Sequence, residues 1–379
     1  MSKILARSPY WINATATDLI YATLELWVYK GEVVVDRLST PNFIINATVT
    51  DTPNNVYWDI SDLVKDFIDT KYVGTSSDNG AVWVDYRITT IDASGATTGS
   101  IQTGDYSVYG YSYYPEGYNA TSLSGCLMDN DIIYKLVDND VSIPVDRKLL
   151  ESISFFNGDE LVHSVVNNPS SYDESSDIID YIGLDDYDSF QQRIYSQGGT
   201  FETNKCIEEF LADFEIYPIT QVRVSSTDAS VPLRVINVES IEECKYTPYK
   251  LIFRNKLGAN QELWFFKSSR LSMQVEREKY QGNAIANYRA GNISSHRGVN
   301  FATMAKETLT INSGFVPEEF NEVFKQLMLS EQVWIEYKQQ VLPINISNQN
   351  IDYKTSLNNK LINYTIDVEF SFNTTNNVR

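Results

Sequence analysis

The sequence predicts a mainly β protein of two or three β-sandwich-like domains with one or two short covering helices. First, its 379 residues allow two or three domains, and a hydrophobic content of 42% is enough to fill their cores. Second, short segments of alternating polarity recur about every ten residues, with turn residues between them. Third, residues 362–372 alternate throughout, as a long strand does when one of its faces is buried.

Residues 1–120 are predicted to form an N-terminal β-sandwich, because most of this region has the pattern of strands and turns. One short helix interrupts it, since apolar residues recur at helical spacing over 63–68 behind a capping-type run at 59–62. A hairpin turn is predicted at 30–32. The predicted strands lie at 22–29, 33–35, 43–49 and 81–88.

Six tyrosines crowd residues 105–119. Tyrosine alternating with small residues is typical of a strand laid across an interface, because its ring is apolar and its hydroxyl is polar. The same rings are able to stack on sugars or bases, and that alternative stays open at this point. The interface candidates from this segment are Tyr109, Tyr111, Tyr113 and Tyr114.

Residues 121–220 are predicted to form a middle region that contains an acidic loop. A short edge segment is expected at 142–145 and a strand at 152–156. Residues 167–205 are polar, acidic and without periodicity, which indicates a long surface loop or insertion.

The net charge of −20 is unevenly divided along the chain. Residues 151–220 hold 15 acidic and two basic side chains, whereas residues 251–310 hold nine basic and four acidic ones. Opposite charges on one chain favour head-to-tail contacts between identical subunits, which close into rings. An acidic loop that serves only solubility is the alternative. The charged interface candidates are Asp185, Asp186 and Asp188 on the acidic side and Arg277, Arg289 and Arg297 on the basic side.

Residues 221–379 are predicted to form a C-terminal β domain with one helix at 317–329. Pro317 suits the first helical position, and Glu318 and Glu319 suit the first turn. Residues 276–300 are polar and indicate a loop or a long exposed hairpin. The predicted strands lie at 221–224, 233–236, 249–259 with its glycine turn, 262–267, 307–312, 333–337, 341–346 and 362–372.

The sequence contains no convincing catalytic or metal-binding motif. Its two histidines, His163 and His296, leave little for a catalytic triad or a His-rich metal site. The cysteines at 126, 206 and 244 are widely spaced, which predicts buried, reduced thiols. We therefore expect no enzymatic activity, no cofactor and no metal. A carboxylate pair of a glycan hydrolase and a structural calcium ion at 185–188 are the alternatives.

Composition also narrows the partners and the compartment. A strongly acidic chain is a poor match for nucleic acid, because phosphate contacts need a basic surface. No apolar run approaches the ~20 residues of a membrane span, and the first residues have no signal-peptide core. We therefore expect assembly in a cytoplasm, without a membrane span and without direct nucleic-acid binding.

Packing and turn patterns near both ends of the chain carry a family resemblance, whereas the middle of the chain is unmatched. The segments are Ala6-Arg7-Ser8-Pro9-Tyr10-Trp11, 24–31, 242–253, 263–267 and 312–334, with 353–355 and 363–365. They resemble structural proteins of tailed bacteriophages that infect Bacteroidetes, including crAss-like phages.

The resemblance implies a virion component of the tail or neck. We therefore expect a non-enzymatic structural protein that forms an oligomeric ring or sleeve in the tail or portal-proximal neck. Its expected partners are further copies of itself and other tail, neck or portal proteins. A carbohydrate- or receptor-binding tail module that uses the tyrosines of 109–118 is the alternative.

Overall fold

The computed structural model describes residues 3–30, 40–49, 54–69, 80–116, 125–136, 141–167, 178–184, 187–188, 216–217, 219–227, 232–281, 285–286, 289–290, 298–348, 350 and 361–372. These residues form several β-sheets, and the α-helices among them are α1 (Ser61–Lys65) and α2 (Phe320–Leu329). The predicted mainly β class with few helices is therefore confirmed. The predicted strand at 33–35 and most of the predicted loop at 167–205 lie outside the described residues.

The chain divides into two compact units. The first comprises Met1–Glu242, Phe253–Glu262 and Glu322–Ser330, and the second comprises Glu243–Ile252, Leu263–Asn321 and Glu331–Arg379. The first unit alone contains two large sheets. The finer division of the chain near residues 120 and 220 stays a prediction.

The first unit opens with a six-stranded sheet and a two-stranded one. Their strands are β1 (Lys3–Leu5), β2 (Trp11–Thr15), β3 (Leu19–Tyr29), β4 (Phe43–Thr48), β5 (Asn55–Asp59), β6 (Ala81–Asp92), β7 (Gly95–Thr98) and β8 (Gln102–Val108). The larger sheet has the order β1-β8-β6-β3-β4, with β7 paired to β6, and β2 pairs with β5. The pair β1–β8 is parallel.

The C-terminal half of β3 is buried on both faces of the sheet. Leu24, Leu26 and Val28 enter one core cluster, whereas Trp27 and Tyr29 enter another on the opposite side. Successive side chains of a strand point to opposite faces, so this arrangement follows from the alternation. The predicted strand at 22–29 therefore lies inside the sheet, between β6 and β4.

Helix α1 is held at its start by a side chain that precedes it. The Asp59 carboxylate accepts hydrogen bonds from the Ser61 backbone N–H at 3.0 Å and from the Ser61 hydroxyl at 2.7 Å. These bonds satisfy polar groups that a helix leaves unpaired in its first turn. Val64 and Ile68 are buried in the core beside the first sheet.

A five-stranded sheet with the order β12-β11-β16-β17-β9 completes the first unit, and the pairs β10–β13 and β14–β15 accompany it. The predicted strands at 142–145, 152–156, 221–224 and 233–236 are present as β10, β11, β16 and β17. The bounds are β9 (Ile132–Leu136), β10 (Ser142–Asp146), β11 (Leu150–Asn157), β12 (Glu160–Val166), β13 (Ile179–Gly183), β14 (Tyr187–Asp188), β15 (Ile216–Tyr217), β16 (Gln221–Ser226) and β17 (Arg234–Ile241).

Most of a seven-stranded sheet lies in the second unit. Its neighbouring strands have the order β19-β18-β24-β25-β26-β23-β20, and the short β21 and β22 pair separately. The bounds are β18 (Tyr249–Arg254), β19 (Asn260–Phe265), β20 (Arg270–Gln281), β21 (Ile285–Ala286), β22 (Arg289–Ala290), β23 (Gly298–Pro317), β24 (Val333–Tyr337), β25 (Gln340–Ile346) and β26 (Leu361–Phe370).

Strand β26 shows the alternation that the sequence predicts. Its even-numbered residues from Ile362 to Phe370 are all buried, whereas Phe372 lies beyond the strand and is exposed. Helix α2 begins at Phe320 and so starts later than the predicted 317–329. Pro317 is the last residue of β23, where it stands opposite Leu361. A residue held in a strand ladder cannot also open a helix, which explains the later start.

Candidate functional site

The residues most suited to chemistry are dispersed in the fold. His163 stacks on Phe155, and burial lowers the pKa of its imidazole. Burial raises the pKa of the Cys126 thiol, whereas Cys244 is exposed. His296 and Cys206 lie outside the described residues. Within the described part of the chain, no group of three His, Cys, Asp or Glu residues is placed to hold a metal ion.

The tyrosine-rich segment leaves the first sheet at the end of β8 and turns sharply at Gly110. The backbone passes so close to its neighbour that a Cβ at Gly110 would lie 2.5 Å from the Lys256 carbonyl oxygen. This approach lets the Tyr111 N–H donate to the same carbonyl at 2.8 Å. Only glycine fits such a contact without displacing backbone. The 3-10 turn Tyr114–Glu116 follows.

Cations lie over the rings of this segment. The Arg7 guanidinium lies 4.8 Å from the centre of the Tyr111 ring, and the Lys325 amine lies 3.3 Å from the centre of the Tyr113 ring. The two tyrosines meet edge to face at 5.7 Å. Cation–π contacts of this kind contribute about 0.5–2 kcal/mol each. We call Tyr109–Tyr113 together with Arg7, Lys256 and Lys325 the tyrosine cluster.

Carboxylates surround the Lys256 amine. It lies 3.2 Å from Glu116, 3.3 Å from Asp129 and 4.0 Å from Glu322. Burial lowers the pKa of Lys256, but the Asp129 and Glu116 carboxylates outweigh this effect, so that the pKa ends above its ordinary value. The lysine therefore stays charged at neutral pH and acts as the centre of an ionic network, which does not suit it for proton transfer.

The Tyr113 hydroxyl is likewise unsuited to acid–base work. Burial raises its pKa, and the Glu322 carboxylate raises it further. The Gln326 amide completes the network by donating to Asp129 at 2.6 Å and to Glu322 at 3.3 Å. The arrangement fastens segments of the first unit together by charge and ring contacts.

The four tyrosines predicted as interface residues differ in how exposed they are. Tyr109 is 7% exposed and belongs to the core of the first sheet, so it contributes little surface to an interface. Tyr111 and Tyr113 are half-buried in the tyrosine cluster, and Tyr114 is 91% exposed. Residues 105–108 of the predicted strand belong to β8, but the strand ends at Val108 and residues 109–116 continue without strand pairing into a 3-10 turn. The interface role of the tyrosines stays a prediction.

The predicted charged residues are only partly described. Arg277 is exposed on β20. Asp185, Asp186 and Arg297 lie outside the described residues. Asp188 and Arg289 belong to the short strands β14 and β22, and their side chains lie outside what the structure describes.

Sequence reasoning did not identify Lys256, Asp129 and Glu322 as a group. Asp129 and Gln326 are 197 residues apart, so no short-range sequence pattern predicts their hydrogen bond. The one local signal lies on α2, where Glu322 and Lys325 are three residues apart and form an ion pair at 3.6 Å. That pair indicates only a charged helix face.

A second candidate surface is the two-stranded arm formed by residues 270–281 of β20 and 298–307 of β23, which we call the β-ribbon. Within the described residues, β20 pairs only with β23, and β26 pairs with β23 only from Thr308 onward. Eleven of the twelve residues of β20 are exposed. The polar segment after 276, predicted as a loop or a long exposed hairpin, therefore includes part of an exposed hairpin.

Comparisons with protein-family models and with curated proteins find no match. In the described part of the chain, no helix has both the length and the apolar character needed to cross a membrane. Function therefore has to be inferred from the two surfaces themselves.

Proposed function

We propose that this chain is a non-enzymatic structural subunit that assembles into an oligomeric ring or sleeve of a bacteriophage tail or portal-proximal neck. The observation that carries the proposal is the exposure of the β-ribbon. A two-stranded hairpin is at best marginally stable alone in water. Such an arm gains stability when another chain covers it, so a long, exposed β-ribbon favours a role in assembly.

The size of the β-ribbon supports the same role. Counting both of its faces, it presents roughly twenty residues, the lower end of the 20–30 residues that each partner contributes to a standard protein interface. Tyr280 and Met304 are large and exposed on it. Exposed side chains of this kind on an arm mark an interaction surface rather than a site for a small ligand.

The tyrosine cluster favours assembly over carbohydrate binding. Stacking on a sugar needs an open ring face, but the Arg7 and Lys325 side chains lie over the rings of Tyr111 and Tyr113. Tyr114 presents an exposed ring beside the cluster. A single exposed ring is a weak platform for a glycan, so we do not advance the carbohydrate-binding alternative.

Light scattering on the purified full chain tests the proposal. We expect a mass several times that of one chain, with rings or short sleeves visible by electron microscopy. A chain that stays monomeric at all concentrations and salt levels would contradict the assembly role.

A double variant tests the absence of enzymatic activity. Because neither histidine is needed, His163→Ala combined with His296→Ala should leave the assembled mass unchanged. A hydrolytic activity that is present in the native chain and lost in this variant would contradict the non-enzymatic proposal.

A further inference from the structure

The β-ribbon has two unlike faces. Successive residues of a strand point to opposite sides, so Leu271, Met273 and Val275 share one face, whereas Ser272 and Gln274 lie on the other. Leu271 is 49% exposed and Met273 is 58% exposed. We call the side with the three apolar residues the stripe face.

The stripe face continues the buried face of the seven-stranded sheet. Leu271 stands opposite Leu309 on β23, and Leu309 in turn stands opposite Val368 on β26. Leu309 and Val368 are buried. Residues directly opposite in an antiparallel pair share a face, so the apolar row runs from the core of the second unit onto the β-ribbon, where it becomes exposed.

The two faces differ in charge more than in apolar character, because Met304, which stands opposite Glu276, and Tyr280 are exposed on the other face. Arg277 and Lys279 follow the apolar residues on the stripe face, whereas Glu276 and Glu278 point to the opposite face. All four residues are exposed. The register shifts after Glu278 because β23 has one extra residue there, between Ala302 and Asn300. Side chains of β20 therefore continue to alternate between the two faces. On β23, Glu307 stands opposite Met273 on the stripe face and Lys306 stands opposite Gln274 on the other. The stripe face therefore combines the apolar row of β20 with one carboxylate beside it and a basic end.

We propose that the stripe face docks on an acidic, partly apolar surface of a second copy of this chain, in a head-to-tail contact. This inference rests on the proposed function and names the partner and the symmetry of the assembly. The chain carries a net charge of −20, so a second copy offers acidic surface in abundance. Complementary charge steers the stripe face toward that surface.

The same charges disfavour a symmetric contact between two β-ribbons. A two-fold contact centred on the basic end would bring Arg277 and Lys279 of one copy toward the same residues of its partner, and like charges repel. A contact between unlike surfaces avoids this repulsion and leaves one acceptor free on each added subunit. It therefore propagates until a ring closes or a sleeve grows.

A pair of double variants tests which face docks. Leu271→Glu with Met273→Glu places charge on the stripe face, and association should weaken about tenfold or more, as for central interface residues. Ser272→Glu with Gln274→Glu adds the same charge to the opposite face of the same strand and should weaken association far less. Equal losses in the two variants, measured by sedimentation, would overturn the inference.

A charge-reversal variant gives an independent test, because it alters only exposed polar residues. Arg277→Glu with Lys279→Glu should weaken head-to-tail association, because the two new carboxylates would then face the acidic surface of the second copy and be repelled by it. Raising NaCl from about 50 to about 500 mM, which shortens the screening length about threefold, should weaken the native assembly. Unchanged or stronger association of the variant, or stronger association of the native chain in salt, would overturn the inference.

Mixing separates head-to-tail from symmetric contacts. The Leu271→Glu, Met273→Glu variant keeps its acceptor surface, so an excess of it should cap fluorescently labelled native chains and break large assemblies into small ones. In a symmetric contact the variant has no working surface and leaves native assemblies unchanged. Assemblies that persist in excess variant would overturn the inference while the structural role stands, whereas a monomeric native chain would overturn both.

Discussion

The burial of Phe370 at the end of β26 leads to a quantitative prediction for Phe370→Ala. Its side chain is buried and meets the Tyr337 ring edge to face at 5.4 Å. Truncating a core phenylalanine costs about 3–5 kcal/mol. An aromatic pair adds about 0.5–1.5 kcal/mol beyond area burial. We therefore expect Phe370→Ala to lower the free energy of unfolding of the second unit by at least about 3 kcal/mol.

The matched control is Phe372→Ala, which removes the same side chain two residues further on. Phe372 is exposed and lies outside the strand, and its ring meets the Phe370 ring at 5.6 Å, so the expected loss is about 0.5–1.5 kcal/mol. The assay is hydrogen exchange of the β26 amides, followed by mass spectrometry, together with urea unfolding. Equal acceleration of exchange in the two variants would show that the buried face of β26 has been assigned to the wrong residues.

Three further predictions concern single sites. Gly110→Ala should destabilise the first unit by about 1–3 kcal/mol in urea unfolding, because the added Cβ would lie 2.5 Å from the Lys256 carbonyl oxygen. The control is Gly158→Ala, whose Cβ meets nothing within 4 Å, so that its only destabilising effect comes from the positive φ at this position. Hydrogen bonds from Lys267 and from the Lys245 backbone lower the pKa of Glu243. The stabilising contribution of the Glu243 carboxylate is therefore present above the pKa of an unfolded glutamate and is lost as pH falls through the lower pKa of the folded chain. In Glu243→Gln this loss is absent, so the free energy of unfolding should depend less steeply on pH below neutrality. Alkylation mapped by mass spectrometry should label Cys244 in the native chain and Cys126 only after unfolding; early labelling of Cys126 would contradict its burial.

Local periodicity predicts much of the fold, because a strand or helix that is buried on one side has apolar residues at a regular spacing in the sequence. The alternation of β26 and the helical spacing behind Asp59 are both of this kind. The start of α2 was predicted three residues too early. The preference of proline for the first position of a helix is a local one, whereas Pro317 is held in β23 by its pairing with Leu361. Pairing between distant segments overrides local preference wherever the two compete.

The two candidate surfaces differ in how far the sequence predicts them. The tyrosine cluster depends on Lys256 meeting both the Tyr113 ring and the Asp129 carboxylate, and such long-range contacts leave no periodic signal. The β-ribbon carries a local signal in Leu271, Met273 and Val275. An exposed hairpin after residue 276 was one of the two structures that the sequence predicted, but the exposure of Leu271 and Met273 was not predicted, because an alternating strand indicates one apolar face and says nothing of what covers that face.

The position of β26 in its sheet bears on the order of events during synthesis. This strand is the last of the seven to be made, yet it lies between β25 and β23 and joins the two halves of the ladder. The hairpin of β24 and β25 and the pair of β20 and β23 are therefore complete earlier, each with an open edge. Closing the sheet requires pairing across a long stretch of chain, which is slow compared with hairpin formation. Residues 361–370 thus complete the sheet last. Until they have left the ribosome, a nascent chain presents the open edges of β25 and β23, where a chaperone or a neighbouring nascent chain is able to bind.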